Sequence, residues 1–227
     1  MNDTERSPLK APRAGTITRL VAQKKNPDRI SVYLDGTYAF GVYIDLVASF
    51  ELRKGLMLSV EDQHRIAEAD QLLVARVKAM HYLALKARTE HEVRQKLLRQ
   101  GFSDTVVESV VERLHERGYL DDEAYARSFV QGRFNNKGYG PQRIRNDLRR
   151  RGVAGALIEA ALEQSMNEAD TLSAARQHAE KRWEHLSRET DPRKRRKKLS
   201  DFLLRRGYTY DTVRRVAEEL AGRAEDL

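Results

Sequence analysis

From Gly15 to Val42 apolar and polar positions alternate with a period of two. ITRLVA, RISVYLD and TYAFGV are rich in Ile, Val, Tyr and Thr, and predict three short antiparallel strands. Asn26-Pro27-Asp28 marks the first turn. Asp35-Gly36 marks the second, because a two-residue type I′ turn needs positive φ at both central positions. That loop sets Tyr33 opposite Tyr38 and Val32 opposite Ala39, with one side of the hairpin aliphatic and the other aromatic. A short helix near Ile44 to Phe50 follows. So small a meander does not hold together alone, and one side is expected to pack on helices.

Beyond Ser59 the period becomes helical. Ser59-Val60-Glu61-Asp62 puts a cap and two acids at a helix start, and Ile66, Ala69, Leu73, Val77 and Met80 supply apolar positions. No strand signal follows. The helical part repeats around Gly101, Gly152 and Gly207. Eight residues before each glycine stands Val93, Ile144 or Leu199, and four before stands Leu97, Leu148 or Leu203. One residue after stands Phe102, Val153 or Tyr208, six after Val107, Ile158 or Val213, and nine after Val110, Ala161 or Val216. Each glycine thus ends a helix in the left-handed conformation, and the next residue packs back on that helix. A recurrence of about 50 residues in an all-helical region predicts stacked units in an elongated array. The starts of the middle helices agree: Thr89-Glu90-His91-Glu92 is a capping box, while Gly140-Pro141 and Asp191-Pro192 put proline at the first helical position.

RGYLDDEAYARSFV, residues 117 to 130, holds three adjacent acids, Asp121, Asp122 and Glu123. They begin a helix or they form a carboxylate site. The helix reading places Asp121 at the N-cap, Leu120 and Tyr125 as a hydrophobic staple, and Asp122 and Glu123 in the first turn, where the helix dipole favours negative charge. The alternative is a nuclease or other phosphate-processing centre, for which the sequence supplies no partner residues. The six histidines show no i, i+4 pair and no HExxH. Gly138-Tyr139-Gly140-Pro141 has neither a preceding strand nor a following Gly-Lys-Ser/Thr, so it reads as a loop and a candidate hinge. Phe134 and Tyr139 flank it and are candidates for stacking on a base or a partner side chain. Trp183 is expected between units.

Composition bounds the remaining choices. The 227 residues are 40% hydrophobic and 33% charged, with no cysteine and a net charge of +8. Disulfides and thiolate–zinc sites are excluded, and a reducing, cytoplasmic setting is expected. No apolar run is long enough to span a bilayer. MNDTERSPLKAPRAG lacks an apolar core and reads as a disordered lead over residues 1–14, not a secretory signal. The expected layout continues with a β meander and short helix over 15–60, a linking helix and first repeat over 61–117, a second repeat over 118–168 and a third over 169–227.

The positive charge is concentrated. Arg133 to Arg151 holds seven basic residues against Asp147 alone, and Arg193 to Arg206 holds eight against Asp201 alone. A helix that needs only solubility mixes signs. Six consecutive cations, Arg193 to Lys198, enter a helix at the end where its dipole opposes them. A phosphate backbone or an acidic protein groove explains them better than stability does. The candidate binding residues are Lys137, Arg143, Arg145, Arg149, Arg150, Arg193, Lys194, Arg195, Arg196, Lys197 and Lys198. No base-reading pattern accompanies them, so nucleic-acid contacts would be to the backbone and steeply salt-dependent.

LALKARTEHEVRQKLLRQGF, RGYLDDEAYARSFV, GYGPQRIRNDLRRRGV and DFLLRRGYTYDTVRRVAEEL together resemble the RecX family of bacterial recombination regulators. The resemblance covers about Met80 to Leu220. Its most specific part is GYLDDEAYA followed by G-x-x-R-I-x-x-x-L-x-x-x-G, here Gly140 to Gly152. It says least about the N-terminal meander. It implies a mainly α protein of three tandem three-helix repeats in an elongated, curved array, preceded here by the small antiparallel meander. It also implies a partner, the RecA filament on single-stranded DNA, whose strand exchange and ATP hydrolysis such proteins inhibit in DNA repair, recombination and the SOS response. No catalysis and no cofactor are implied, and a monomer is expected. The rival reading is a non-sequence-specific DNA-binding protein that acts without RecA.

Overall fold

The computed structural model describes residues 12–225. These fall into two compact units. The first carries the chain to Leu85 and then Lys96–Arg113, and the second comprises Lys86–Gln95 and the chain from Leu114 onward. Of the expected lead, residues 1–11 lie outside the described residues. Arg13 is placed, and its carbonyl accepts a bond from the buried Gln63 Nε2 at 2.7 Å.

In the first unit β1 (Gly15–Ala22), β2 (Arg29–Leu34), β3 (Thr37–Tyr43) and β4 (Met57–Leu58) form one antiparallel sheet in the order β3-β2-β1-β4. The meander is therefore extended by a fourth strand. Two residues are too short for period-two patterning to register. The Asp35-Gly36 turn has the expected positive φ values, 47° and 81°. Tyr33 does face Tyr38, but a β-bulge then sets Val32 opposite Phe40 instead of Ala39. One inserted residue reverses side-chain parity beyond it, so Phe40 joins the aliphatic face. Ile17, Val32, Leu34, Phe40 and Val42 form that face, with Leu52, Leu58 and Ile66 in the same cluster. Ile66 belongs to α2 (Val60–Leu85), whose start is tied by Ser59 and Asp62 bonding each other's backbone N–H. The buried Arg29 fastens β3 to α2: it donates at 2.9 Å to Gly41 O and to Asp70, whose other oxygen accepts the Tyr43 N–H. The short helix α1 (Ile44–Ser49) stands where the pattern places it.

The helical part consists of triples. α3 (Glu90–Arg99) and α4 (Asp104–Glu116) follow α2 in the first. α5 (Asp122–Lys137), α6 (Pro141–Arg149) and α7 (Gly155–Ser165) make the second, and α8 (Glu168–His185), α9 (Pro192–Arg206) and α10 (Tyr210–Glu225) the third. All fifteen apolar positions aligned about the three glycines are buried. Gly101, Gly152 and Gly207 have φ of 78°, 79° and 89°. Each donates to the carbonyl three residues back, and the residue after it donates to the leucine carbonyl five residues back, Leu97, Leu148 or Leu203. Three helix ends are thus closed by one hydrogen-bond pattern. The first helix of each triple contributes a small buried pair one turn apart: Ala75 and Ala79, Ala126 and Val130, Ala175 and Ala179.

Within the second unit the glycine turns also join one repeat to the next. Thr89, the cap of α3, gives its hydroxyl to Arg151 O at 2.6 Å. Gly140, the cap of α6, gives its backbone N–H to Arg206 O at 2.8 Å. Arg151 and Arg206 each immediately precede the left-handed glycine, and Thr89 and Gly140 each stand twelve residues before theirs, so the two bonds are equivalent. Around the second joint Gln142 N donates to Gly207 O at 3.0 Å, Tyr208 Oη to Gly138 O at 3.2 Å, and Arg206 to Lys137 O at 2.9 Å. Gly138-Tyr139-Gly140 is accordingly no hinge. Gly138 ends α5 at φ 58°, and a Cβ on Gly140 would overlap the Gly207 carbonyl group. Gly132 is inside α5.

Gly140→Ala should lose about 1–3 kcal/mol in denaturant unfolding, the usual cost of forcing extra volume into packed surroundings. Gly132→Ala has open space for its Cβ and should gain about 0.5–1 kcal/mol from helix propensity. A stable Gly140→Ala protein would contradict the joint.

Candidate partner and nucleic-acid interface

The eleven cations named from the sequence divide by what they touch. Arg145 is taken up internally: its Nε and Nη2 grip Glu159 of α7 at 2.7 and 2.8 Å, and Nη1 bonds Gln142 at 2.9 Å. The guanidinium holds the Glu159 carboxyl below its usual range, first through these hydrogen bonds and then through its charge. Arg143 lies 3.9 Å over the Tyr139 ring and reaches Arg205 O at 3.3 Å, so it belongs to the joint. Arg195 stacks 3.9 Å over Trp183 and donates to that residue's carbonyl at 2.9 Å. These three stabilise the repeats, and their charges face neighbours in the fold.

The others are more available. Arg150 pairs with Asp147, Lys198 with Glu189, Arg196 with Glu218 at 3.2 Å, and Lys194 with Asp191 at 3.9 Å. All of these cations are exposed, and pairs of this kind are weak enough for a partner to displace. Lys137, Arg149, Arg193 and Lys197 are exposed with no side-chain hydrogen bond or ion pair. The sequence reading omitted other cations that are exposed without a side-chain partner, among them Lys181, Arg205 and Arg214. Arg205 closes the run that drew attention to α9. Lys181 and Arg214 stand among acids, and no sequence signal separates them from paired neighbours.

The aromatic candidates Phe134 and Tyr139 are half-buried in the cluster of the second triple. Tyr139 carries Arg143 on its ring and Arg133 at 5.9 Å. Trp183 is half-buried in the third cluster, inside one repeat and not between two.

Each acid of the trio has a structural task. Asp121 caps α5, accepting the Ala124 N–H at 2.8 Å from an extended backbone. Asp122 reaches α3 and accepts the Glu90 N–H at 2.9 Å, supplying from a neighbouring repeat the acceptor that this free helix-start donor needs. Glu123 pairs with Arg127 one turn on. Asp121 and Asp122 border an open cleft of about 710 Å³, with Glu90, His91, Arg94 and His115 on its wall. Glu90 is occupied by Arg94 at 2.5 Å and His115 at 2.7 Å. Burial raises the Asp122 carboxyl above the usual range. Among the described residues no three His, Asp or Glu side chains are placed to hold a metal ion, and no helix is long and apolar enough to cross a membrane.

Four family models match the chain. The Regulatory protein RecX N-terminal domain matches residues 15–59, and the first, second and third RecX three-helix domains match 75–114, 121–162 and 168–217. The N-terminal match covers the meander, on which the motif resemblance was least informative. The regulatory protein RecX of Clostridium acetobutylicum is 33% identical over 207 residues, 90% of this chain and 96% of the relative. That of Bacillus licheniformis is 30% identical over 89% of this chain and 76% of the relative. A crystal structure of regulatory protein RecX superposes with a TM-score of 0.72 at 30% identity, covering 90% of this chain and 99% of that one. The crystal structure of RecX from Lactobacillus salivarius gives 0.62 at 26% identity over 67% of this chain and 97% of that one.

Asp121→Ala should cost about 0.5–2 kcal/mol, the usual loss for a helix cap. Asp122→Asn keeps an oxygen for the Glu90 N–H and should fold as the parent does, whereas Asp122→Ala leaves that donor unpaired and should lose about 1–3 kcal/mol. Because the folded state raises the Asp122 pKa, ionisation opposes folding. The parent should therefore lose stability relative to Asp122→Asn as pH rises through and above the ordinary carboxylate range. Urea unfolding at a series of pH values checks both.

Proposed function

This chain belongs to the RecX family of regulatory proteins, and we propose that it binds the RecA filament on single-stranded DNA and inhibits strand exchange and ATP hydrolysis. The observation that supports the reading is that the helical repeats carry exposed cations held by no ion pair, among them Lys137, Arg149, Arg193 and Lys197. Lys137 and Arg149 also suit the last turn of their helices, but Arg193 and Lys197 lie in the run of cations that enters α9 at the end its dipole disfavours. Such a charge attracts a polyanion or an acidic groove and speeds the encounter. Arg150, Lys194, Arg196 and Lys198 add charge that a partner gains by displacing weak internal pairs. The same cations serve the second reading, direct binding to DNA without RecA, so the dependence on filament decides between them.

The contact is expected to be with phosphates and acidic side chains, and not with base edges. Fixed, repeated units suit a polymer whose sites also repeat, and the protein acts in the cytoplasm as a monomer on this reading. A regulatory role is in keeping with the cleft beside Asp121 and Asp122, where the two aspartates accept backbone N–H groups and Glu90 holds Arg94 and His115.

A quadruple charge reversal, Lys137→Glu, Arg149→Glu, Arg193→Glu and Lys197→Glu, should weaken inhibition of RecA ATPase and strand exchange by at least about tenfold, with affinity strongly salt-dependent. Helix content by circular dichroism should stay unchanged, since none of these side chains makes an internal hydrogen bond or ion pair. Arg145 is left intact because reversing it would break the Glu159 pair. Full inhibition by the reversed protein would remove these cations from the mechanism. Equal affinity for bare DNA and for the filament would favour the second reading.

A further inference from the structure

The strands β1, β2 and β3 contain no acidic residue, and their only cations are Arg19 and Arg29. One face of this sheet is the aliphatic core. The pairings Arg19↔Tyr33, Tyr33↔Tyr38 and Ser31↔Gly41 put Arg19, Ser31, Tyr33, Tyr38 and Gly41 together on the other. Arg29 is neutralised there by Asp70. Arg19 is exposed with no carboxylate partner, and its guanidinium lies 4.0 Å from the centre of the Tyr33 ring. Tyr33 and Tyr38 meet edge to face, 5.9 Å between centroids and 78° between planes. The Tyr38 hydroxyl lies 3.6 Å from where a Gly41 Cβ would stand, so that ring runs along the sheet. Gln23 shares the space over Gly41, with its Nε2 2.8 Å from the same point. Neither tyrosine is buried in a core, and Val21 beside them is 41% exposed. Lys24 and Lys25 follow in the loop after β1, both exposed and without a partner.

These features answer to one chemistry. Flat π surfaces and a guanidinium plane on a small antiparallel sheet offer stacking positions to unpaired bases, and unneutralised cations in the adjoining loop offer contacts to phosphates. A duplex hides its base faces and cannot use the rings. A protein partner would be expected to find a broader aliphatic patch, and Val21 is alone in that respect. We infer that the open face of the N-terminal sheet is a binding surface for single-stranded nucleic acid, with Tyr33, Tyr38 and Arg19 stacking on bases and Lys24 and Lys25 meeting the backbone. This surface is separate from the cations of the helical repeats and needs no recombinase.

The test uses the full chain, a fluorescein-labelled oligothymidylate and a duplex of the same length, without RecA. Tyr33→Leu with Tyr38→Leu should weaken single-strand binding by about tenfold or more, the scale of losing base–aromatic stacking, while duplex binding stays within about twofold. Tyr33→Phe with Tyr38→Phe should restore single-strand affinity, because the rings and not the hydroxyls stack. Ultraviolet cross-linking of the unaltered protein to the oligonucleotide should place adducts on Tyr33 or Tyr38, a readout that survives if the leucine variant folds poorly. Unchanged single-strand affinity in a folded leucine variant would overturn the inference. So would cross-links confined to the helical repeats, or a loss seen only in binding to a protein partner.

Discussion

The left-handed glycine that closes each middle helix is the constraint on which the repeats depend. At Gly101, Gly152 and Gly207 the backbone turns with positive φ, and the residue beyond donates to the leucine carbonyl below it. A side chain there would be strained. Without the turn, Phe102, Val153 and Tyr208 would not fold back into the cores they fill. In the second unit the same turn leaves a carbonyl just before the glycine, and the preceding repeat supplies its donor, Thr89 for Arg151 and Gly140 for Arg206. One backbone feature therefore ends a helix, seats a core residue and docks the neighbouring repeat.

That economy explains why different residues serve one purpose. Thr89 uses a hydroxyl and Gly140 an amide, because in the second case the two backbones approach too closely for any side chain. Asp122 extends the same logic, crossing from α5 to satisfy the first turn of α3. Helix starts and ends carry free donors and acceptors, and here neighbouring repeats satisfy many of them. Arg143 is drawn into such a joint and Arg145 into the Glu159 pair within its own repeat, so both prove structural, while Arg149 makes no ion pair.

Electrostatics on the surface follow from what the joints leave over. Of eleven cations, three are absorbed by packing or a bidentate carboxylate, four hold weak pairs and four hold none. Under the proposed function such a division is useful, because the packed repeats set the spacing and the uncommitted charges set the encounter. The N-terminal sheet adds a surface of a different kind, aromatic and without acids in its strands.

Much of the fold was legible in the chain. The hairpin turn at Asp35-Gly36, the fifteen apolar positions about three glycines and the capping task of Asp121 follow from local rules, since φ preference and helical period act within a few residues. The motifs quoted from the helical region were sufficient to name the family. Other features have no local signal. The parity change at the Val32 bulge, the two-residue β4 and the small buried pairs such as Ala175 and Ala179 are fixed by partners distant in sequence, and alanine carries little hydrophobic pattern of its own. Which arginines remain free was likewise undecidable in advance. A cation's availability depends on whether a carboxylate, a ring or a helix-end carbonyl lies within reach, and only the packed chain brings Glu159 to Arg145 and Trp183 to Arg195.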